Sequence, residues 1–258
     1  MLVAITRKVS PSISQCELTH LERQPIDFNN ASLQHQEYED SLASLGCKVY
    51  SLPAEPDLPD SVFVEDTAVV LDELAIITLP GADSRKPEIA SIVEALKPYR
   101  KLFYIREPGS MDGGDVLRVG KRIFVGITPR TNLEGIDQMR KILAPYGYSV
   151  KGVKVHGCLH LKSAVTQVAA NILLINPAWV ERSEFGQMEF VEVDPFEPFG
   201  ANAMMVGGKV VYPSAYGNTR RRLEARGIIL QMVNASELAK AEGGVTCCSL
   251  IFTSVTTS

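Results

Sequence analysis

Short apolar segments that alternate with polar residues recur along the chain, and four pairs of them have the pattern of β-hairpins. Most turns between the paired segments contain glycine, asparagine or aspartate, which tolerate tight hairpin geometry. Two further segments, 2–6 and 249–253, have strand character but no sequential partner. The predicted hairpins join residues 67–70 to 74–78, 116–119 to 123–125, 163–168 to 172–175 and 203–206 to 210–212.

Stretches with helical spacing of their apolar residues lie between these segments, and a short strand follows each stretch. The unit of hairpin, helix and strand recurs about every 40 to 50 residues, a period typical of propellers and other repeat proteins. Pairing of strand 2–6 with strand 249–253 would close the ring and leave no free edge. The pattern predicts one domain, residues 1–258, folded as a closed five-bladed α/β propeller. The helix and strand pairs are predicted near residues 31–52, 86–105, 133–155, 178–193 and 219–232.

Polar residues precede the hairpin strands at corresponding places in the repeats. In a ring with approximate five-fold symmetry such positions converge on the central axis, so we expect these side chains to share one cavity. A cysteine attacks as its thiolate, and a histidine can stabilise that anion and transfer protons. A carboxylate can orient the imidazole, with Asp112 as the first candidate and Asp115 as the alternative. The residues at these places are Glu65, Asp66, Asp112, His160, Asn202 and Cys247.

Charged residues near these positions indicate the kind of substrate. The carboxylates of Asp60, Glu65 and Asp66 would repel one another in a shared cavity, so they favour a bound cation. Arg85 and Arg130 supply the opposite charge, and an arginine fork suits a carboxylate. We therefore expect a substrate with a cationic end, an anionic end and an electrophilic carbon, as in an arginine-like amino acid.

Each of these residues also has an ordinary structural explanation. A free cysteine is usually a small buried side chain, a histidine on a strand is usually structural, and a segment such as 112–115 is usually a turn. Arg85 could pair with a surface acid, and Arg130 could cap a helix. The catalytic interpretation is favoured because cysteine, histidine and carboxylate all occupy equivalent repeat positions.

Composition restricts the class of protein. A chain of 258 residues with 45% hydrophobic content can bury a full core, and its formal charge of -4 argues against nucleic-acid binding. Residues 1–8 lack the features of a signal peptide, and no run of about 18 apolar residues exists to cross a bilayer. We expect a soluble cytoplasmic protein without membrane contact. Its five cysteines are scattered, without the spacing of a zinc site, and should be free thiols.

Six motifs match a known family, and they lie in residues 60–66, 80–85, 112–116, 130–132, 159–162 and 243–249. Over essentially its whole length the chain resembles the dimethylarginine dimethylaminohydrolase family, which belongs to the guanidino-group-modifying (pentein) enzymes. The resemblance implies hydrolysis of dimethylarginine and monomethylarginine to citrulline and an amine. It also implies a covalent thiouronium intermediate on a cysteine, with no metal and no organic cofactor.

The resemblance assigns a role to each matching residue. It implies Cys247 as the nucleophile, His160 as acid and base, and Asp112 as the partner of the imidazole. Asp66 would clamp the guanidinium of the substrate. The other implied contacts are Asp60 and Glu65 around the pocket and the amino end, Arg85 and Arg130 on the α-carboxylate, and backbone groups of Ala241 and of Leu18 in a lid-like N-terminal loop.

Lys162 bears on the choice of substrate. Arginine deiminases and amidinotransferases carry His-x-Asp, whose carboxylate contacts the guanidinium, whereas this chain has His160-Leu161-Lys162. Lysine cannot clamp a cation, and a dimethylated guanidinium has fewer N–H donors, so a methylated substrate is favoured. An arginine deiminase or another guanidino hydrolase of this fold is the alternative. A non-catalytic propeller resembling a ribosome-binding translation initiation factor is a second alternative, and the sequence leaves open a homodimer.

Overall fold

The computed structural model describes residues 1–254 and contains five separate three-stranded sheets. In every sheet the middle strand pairs antiparallel with one neighbour and parallel with the other. The strands are β1 (Leu2–Arg7), β2 (Cys47–Leu52), β3 (Ala68–Val70), β4 (Leu74–Ile77), β5 (Lys101–Tyr104), β6 (Val116–Val119), β7 (Arg122–Ile127), β8 (Ser149–Lys154), β9 (Val165–Ala169), β10 (Ile172–Ile175), β11 (Glu189–Glu192), β12 (Met204–Val206), β13 (Lys209–Pro213), β14 (Leu230–Val233) and β15 (Leu250–Thr253).

α-Helices connect the strands at four of the five predicted places. The 17-residue helix α1 begins after Asp27, whose side chain accepts a hydrogen bond from the backbone N–H of Asn30 (3.0 Å). This bond satisfies one of the N–H groups that the first helical turn leaves without a partner. The α-helices are α1 (Phe28–Ser44), α2 (Ile89–Leu96), α3 (Leu133–Leu143), α4 (Leu161–Ala164), α5 (Gly217–Ala225) and α6 (Ser236–Ala239).

The predicted repeat of hairpin, helix and strand is confirmed as five blades. Each blade contains three strands, in the orders β15-β1-β2, β3-β4-β5, β6-β7-β8, β9-β10-β11 and β12-β13-β14. The predicted pairing of the terminal strands is also confirmed, with Val3 opposite Phe252 and Ile5 opposite Leu250. The first blade is therefore assembled from both ends of the chain.

Three details of the prediction are wrong. Pairing of β1 with β15 completes one blade but does not remove edges, because the five sheets of residues 1–254 are not hydrogen-bonded to one another. In the fourth repeat the segment near 178–193 contains only a 3-10 helix, Arg182–Phe185, and no α-helix. Gly186, at a φ of 69°, ends that helix after one turn. The predicted strand 163–168 begins later, at Val165, because its first residues belong to α4.

Apolar side chains fill the spaces between neighbouring blades. The core between the fourth and fifth blades contains Leu174 and Val191 from one blade and Val210, Tyr212 and Leu223 from the other. All five cysteines of the chain are free thiols, as predicted, and all five are also buried. None of the helices within residues 1–254 has the length and hydropathy needed to span a bilayer.

Replacing Ile5 with alanine should destabilise the fold by about 2 to 5 kcal/mol, because the substitution leaves a cavity in the strand that joins the two chain ends. Ile5 is 1% exposed in the middle strand of its blade. Urea unfolding would measure this loss. Ile229→Ala is the matched control, because Ile229 is 62% exposed and the same change there should cost less than about 0.5 kcal/mol. Equal losses of unfolding free energy in the two variants would contradict the importance of Ile5 for the blade in which β1 pairs with β15.

Candidate active site

Four polar side chains are carried by short segments that precede the first strands of their blades. Asp66 lies in the 3-10 helix Val64–Thr67 before β3. Asp112 is the residue immediately before the 3-10 helix Gly113–Asp115, which precedes β6. His160 is the residue immediately before α4, which precedes β9, and Cys247 lies in the turn before β15. The convergence predicted from the repeat pattern is therefore found for these four residues, three of which line one cavity while Asp112 lies directly behind His160.

His160 is buried between two carboxylates. Its Nε2 lies 3.0 Å from Asp112 Oδ2, and its Nδ1 lies 3.9 Å from Asp66 Oδ1. Burial alone would lower the pKa of the imidazole, but the charge of Asp66 and the hydrogen bond to Asp112 raise it to about 9. A cationic imidazole at neutral pH can donate a proton from Nδ1 while Nε2 is held by Asp112.

A glycine permits the close approach of these groups. A Cβ on Gly114 would lie 2.5 Å from His160 Nδ1 and 2.7 Å from Asp66 Oδ1, which is closer than carbon atoms pack. The Gly114 N–H also donates to Asp66 Oδ1 (2.9 Å). Glycine is therefore required where the Asp112 segment passes between the imidazole and Asp66.

Asp112, not Asp115, is the carboxylate that contacts the imidazole. Asp115 accepts hydrogen bonds from the Thr128 hydroxyl (2.7 Å), the Thr131 hydroxyl (2.6 Å) and the Leu161 N–H (2.9 Å). Burial raises the pKa of Asp115 to about 6 despite these bonds and the nearby charge of His160. Its contacts anchor the start of α4, so Asp115 positions the segment that carries His160.

Asp66 is the most heavily constrained acid of the site. Its Oδ2 accepts a hydrogen bond from Arg85 Nη1 (2.6 Å), and the other two guanidinium nitrogens of Arg85 donate to Glu88 (3.1 and 2.8 Å). Burial alone would raise the pKa of Asp66, but the charges of His160 and Arg85 lower it to about 2. Burial raises the pKa of Glu88 to about 7 against the attraction of Arg85. Arg85 therefore neutralises buried acids beside the cavity.

Cys247 is held at the boundary of two cavities. Its sulfur accepts a hydrogen bond from the Gly244 N–H (3.3 Å). Burial, together with the negative charges of Glu65 and Asp66, raises the pKa of the thiol to about 12. The thiol is therefore neutral in the empty cavity, and a cation bound beside Asp66 would favour the thiolate.

Asn202 occupies the corresponding place in the fifth blade and connects the segments of His160 and Cys247. Its side-chain NH₂ donates to the Lys162 carbonyl (3.0 Å) and to Thr246 Oγ1 (3.0 Å). Its carbonyl oxygen accepts from the Thr246 N–H (3.1 Å). Asn202 therefore fixes the distance between two neighbouring segments of the site.

A small charged cavity collects most of the predicted residues. Three of its additional walls, Phe63, Leu159 and Gly243, lie within the matched motifs but were assigned no role, whereas Glu17 and Glu242 lie outside both the motifs and the repeat positions. The predicted residues that line it are Asp60, Asp66, Arg85, Arg130, His160, Ala241 and Cys247, and the additional ones are Glu17, Phe63, Leu159, Glu242 and Gly243.

Glu65 and Leu18 do not line the charged cavity. Although Glu65 adjoins Asp66 in the chain, its carboxylate pairs with Lys162 and accepts a hydrogen bond from Thr246 Oγ1 (2.8 Å). This pair lines a separate cavity behind the Cys247 segment. The partly buried side chain of Leu18 packs against an apolar core cluster. Any role of Leu18 through its backbone stays a prediction.

A second, mainly apolar cavity meets the charged one at Cys247. The two cavities share Leu159, Glu242, Gly243 and Cys247 as wall residues. The apolar cavity continues past Leu21, Phe199, Pro213, Ala215 and Tyr216. Cys247 therefore faces charged groups on one side and apolar side chains on the other.

Asp66, Asp112 and His160 are the one group in residues 1–254 whose donor atoms could hold a metal ion, with these atoms within 4.8 Å of one another. Their hydrogen bonds explain the cluster without an ion, since Asp112 bonds the imidazole and Asp66 bonds Arg85 and Gly114. The geometry fits a proton-transfer group held by carboxylates.

Comparisons with known proteins show the family of the chain. The chain is 36% identical over 228 residues to the N(G),N(G)-dimethylarginine dimethylaminohydrolase of Pseudomonas aeruginosa, covering 88% of this chain and 90% of that protein. It is 36% identical over 250 residues to the Streptomyces coelicolor protein of the same name, covering 96% of this chain and 95% of that protein. The chain belongs to the dimethylarginine dimethylaminohydrolase family.

The solved structures support the same family fold. A serine variant of the Pseudomonas aeruginosa dimethylarginine dimethylaminohydrolase, complexed with citrulline, superposes with a TM-score of 0.91 at 34% identity. The superposition covers 96% of this chain and 98% of that one. No family sequence model matches the chain. The five-bladed α/β propeller predicted from the repeats is thus the fold of this dimethylarginine dimethylaminohydrolase family member.

The raised pKa of His160 predicts how stability depends on pH. Its pKa is about 9 in the folded protein and about 6.5 in an unfolded chain, so its contribution is fully present below pH 6.5. That contribution, on the order of 3 kcal/mol, is lost as the pH rises through 9. Unfolding free energies at pH 6 and pH 9.5 should therefore differ more in the native protein than in His160→Gln. The exposed His156, changed to Gln, is the control and should behave like the native protein; identical pH dependence in all three would contradict the assignment.

Proposed function

We propose that the protein hydrolyses Nω,Nω-dimethyl-L-arginine, and also Nω-monomethyl-L-arginine, to L-citrulline and the methylated amine. The observation that carries this proposal is the single buried cavity lined by a cysteine thiol, a cationic histidine and an ionised aspartate. Membership of the family supports it, as does the citrulline complex of the Pseudomonas aeruginosa relative. The substrate is thus a small molecule with a guanidinium at one end and an amino acid at the other.

The charges of the cavity orient this substrate. Asp66 is ionised and would bind the guanidinium beside Cys247. At the opposite end, Arg130 would bind the α-carboxylate, because its side chain lines the cavity while Asp66 and Glu88 engage Arg85. Asp60 and the backbone of Ala241 would hold the α-amino group. Arg85 lies at the guanidinium end instead, where its bond to Asp66 keeps that carboxylate ionised.

The first half of the reaction forms a covalent bond to Cys247. Binding of the guanidinium cation lowers the pKa of the thiol, which releases its proton to solvent water, and the thiolate attacks the central guanidinium carbon. The cationic His160 donates a proton to the dimethylated nitrogen as the carbon–nitrogen bond breaks. Dimethylamine departs, and a thiouronium remains on Cys247 while the imidazole is neutral.

The second half regenerates the enzyme. Neutral His160 accepts a proton from water as the water oxygen attacks the thiouronium carbon. The carbon–sulfur bond then breaks, the proton of the newly added hydroxyl passes to the departing sulfur and restores the thiol of Cys247, and L-citrulline is released. Asp112 keeps the imidazole oriented through both halves, because its hydrogen bond to Nε2 leaves Nδ1 free to exchange protons.

The methylated substrate is favoured by the surroundings of the thiol. Lys162 follows His160 at the place where arginine deiminases carry an aspartate, and it pairs with Glu65 away from the charged cavity. The apolar walls of Leu159, Phe199 and Tyr216 lie on the other side of Cys247. Against these apolar walls, burying methyl groups costs less desolvation free energy than burying the N–H donors of unmodified arginine would.

Replacing Cys247 with serine should reduce turnover of dimethylarginine by at least about a thousandfold, because a serine hydroxyl is a much weaker nucleophile beside a histidine that is already protonated. Product formation is measured by mass spectrometry of citrulline. Cys248→Ser is the matched control, because this neighbouring thiol is buried and lies outside the charged cavity. Full activity in Cys247→Ser, or loss only in Cys248→Ser, would refute the assignment of the nucleophile.

Asymmetric dimethylarginine should have a higher kcat/KM than arginine in a direct competition, since the cavity combines one guanidinium clamp with apolar walls. The assay follows dimethylamine and ammonia released from a mixture of the two compounds. Greater efficiency with arginine would assign the protein as an arginine deiminase instead.

A further inference from the structure

The N-terminal segment 17–25, called the lid here, covers the site without forming a helix or strand. Glu17 lines the charged cavity, and His20 and Leu21 line the apolar one. The Glu17 N–H donates to Asp60 Oδ2 (3.0 Å), and Arg130 Nη2 donates to Thr19 Oγ1 (3.2 Å). The lid is therefore bonded to two side chains that we assign to the amino-acid end of the substrate.

Glu242 makes the densest set of contacts to this lid. Its carboxylate accepts hydrogen bonds from three successive backbone N–H groups, those of Thr19 (3.0 Å), His20 (2.5 Å) and Leu21 (2.7 Å). Bonds from N–H groups to an ionised carboxylate are stronger than bonds between neutral groups. The three contacts converge on one side chain from the opposite end of the sequence.

The backbone of Glu242 is strained. Its φ is 57°, and it is the one non-glycine residue among residues 1–254 with a positive φ. The two residues that follow it are glycines, Gly243 and Gly244. A glycine would adopt this conformation at position 242 without strain, so the glutamate side chain is retained at a conformational cost. The contacts to the lid are what offset that cost.

We propose that Glu242 is a latch that closes the lid and thereby positions Asp60 and Arg130 for the amino-acid end of the substrate. The same turn carries Gly244, whose N–H bonds the sulfur of Cys247. The latch thus ties the lid to the segment of the nucleophile. Glu242 is a positioning residue and takes no part in proton transfer. The effect of the latch on substrate binding rests on the proposed function, whereas closure of the lid by Glu242 does not.

Two substitutions distinguish the effect of the Glu242 carboxylate from the effect of its strained backbone. Glu242→Gly relieves the strain but removes all three contacts, and Glu242→Gln keeps one acceptor oxygen while retaining the strain. Hydrogen exchange, measured by mass spectrometry on peptides that contain residues 17–25, reports directly on the three N–H donors. We expect exchange about tenfold faster or more in Glu242→Gly, with Glu242→Gln intermediate. Glu22→Gln, which changes an exposed acid within the lid, is the control.

Trypsin provides a second readout that needs no activity. Arg23 is exposed within the lid, and its guanidinium donates to the Ser14 carbonyl (2.5 Å) and the Cys16 carbonyl (2.7 Å). Cleavage after Arg23 should be faster in Glu242→Gly than in the native protein, at a temperature where both are folded by circular dichroism. Exchange and cleavage at native rates in folded Glu242→Gly would overturn the latch.

Steady-state kinetics with dimethylarginine tests the positioning role. Opening the lid should raise KM by about tenfold while kcat falls less, since the chemistry at Cys247 is unchanged. A fall in kcat at constant KM would overturn that role. If the native protein does not turn over methylated arginines, the proposed function fails, and the exchange and cleavage measurements decide the latch by themselves.

Discussion

The site depends on the balance of charge around Asp66. This buried carboxylate bonds Arg85 through one oxygen and faces His160 with the other. The arrangement keeps the acid ionised and the imidazole cationic inside a low-dielectric environment, where either charge alone would be strongly disfavoured. Because Asp66 and His160 precede strands of different blades, their contact depends on the packing of those blades against one another.

The same balance explains why the thiol is neutral before substrate binds. Two negative groups, Glu65 and Asp66, together with burial, raise the pKa of Cys247. The charge that would favour the thiolate is supplied by the guanidinium of the substrate itself. A neutral thiol is less open to alkylation and oxidation, so in the proposed mechanism Cys247 would become reactive chiefly when a cation occupies the cavity.

The sequence predicted the repeats, the pairing of the terminal strands and the convergence of Asp66, Asp112, His160 and Cys247, because each depends on local patterns repeated along the chain. It could not predict where adjacent acids point, and Glu65 turned out to pair with Lys162 behind the site. Nor did it indicate the contacts of Glu242, which join residues more than 200 positions apart. Both depend on tertiary packing, which periodicity does not encode.

The central claim is that Cys247 attacks the guanidinium carbon of a methylated arginine. Acid quenching during turnover of asymmetric dimethylarginine, followed by peptide mass spectrometry, tests it most directly. The account predicts a mass increase on the peptide of Cys247 equal to the substrate minus dimethylamine, and none on Cys248. Citrulline production without any such adduct, or an adduct carried by another residue, would contradict the account.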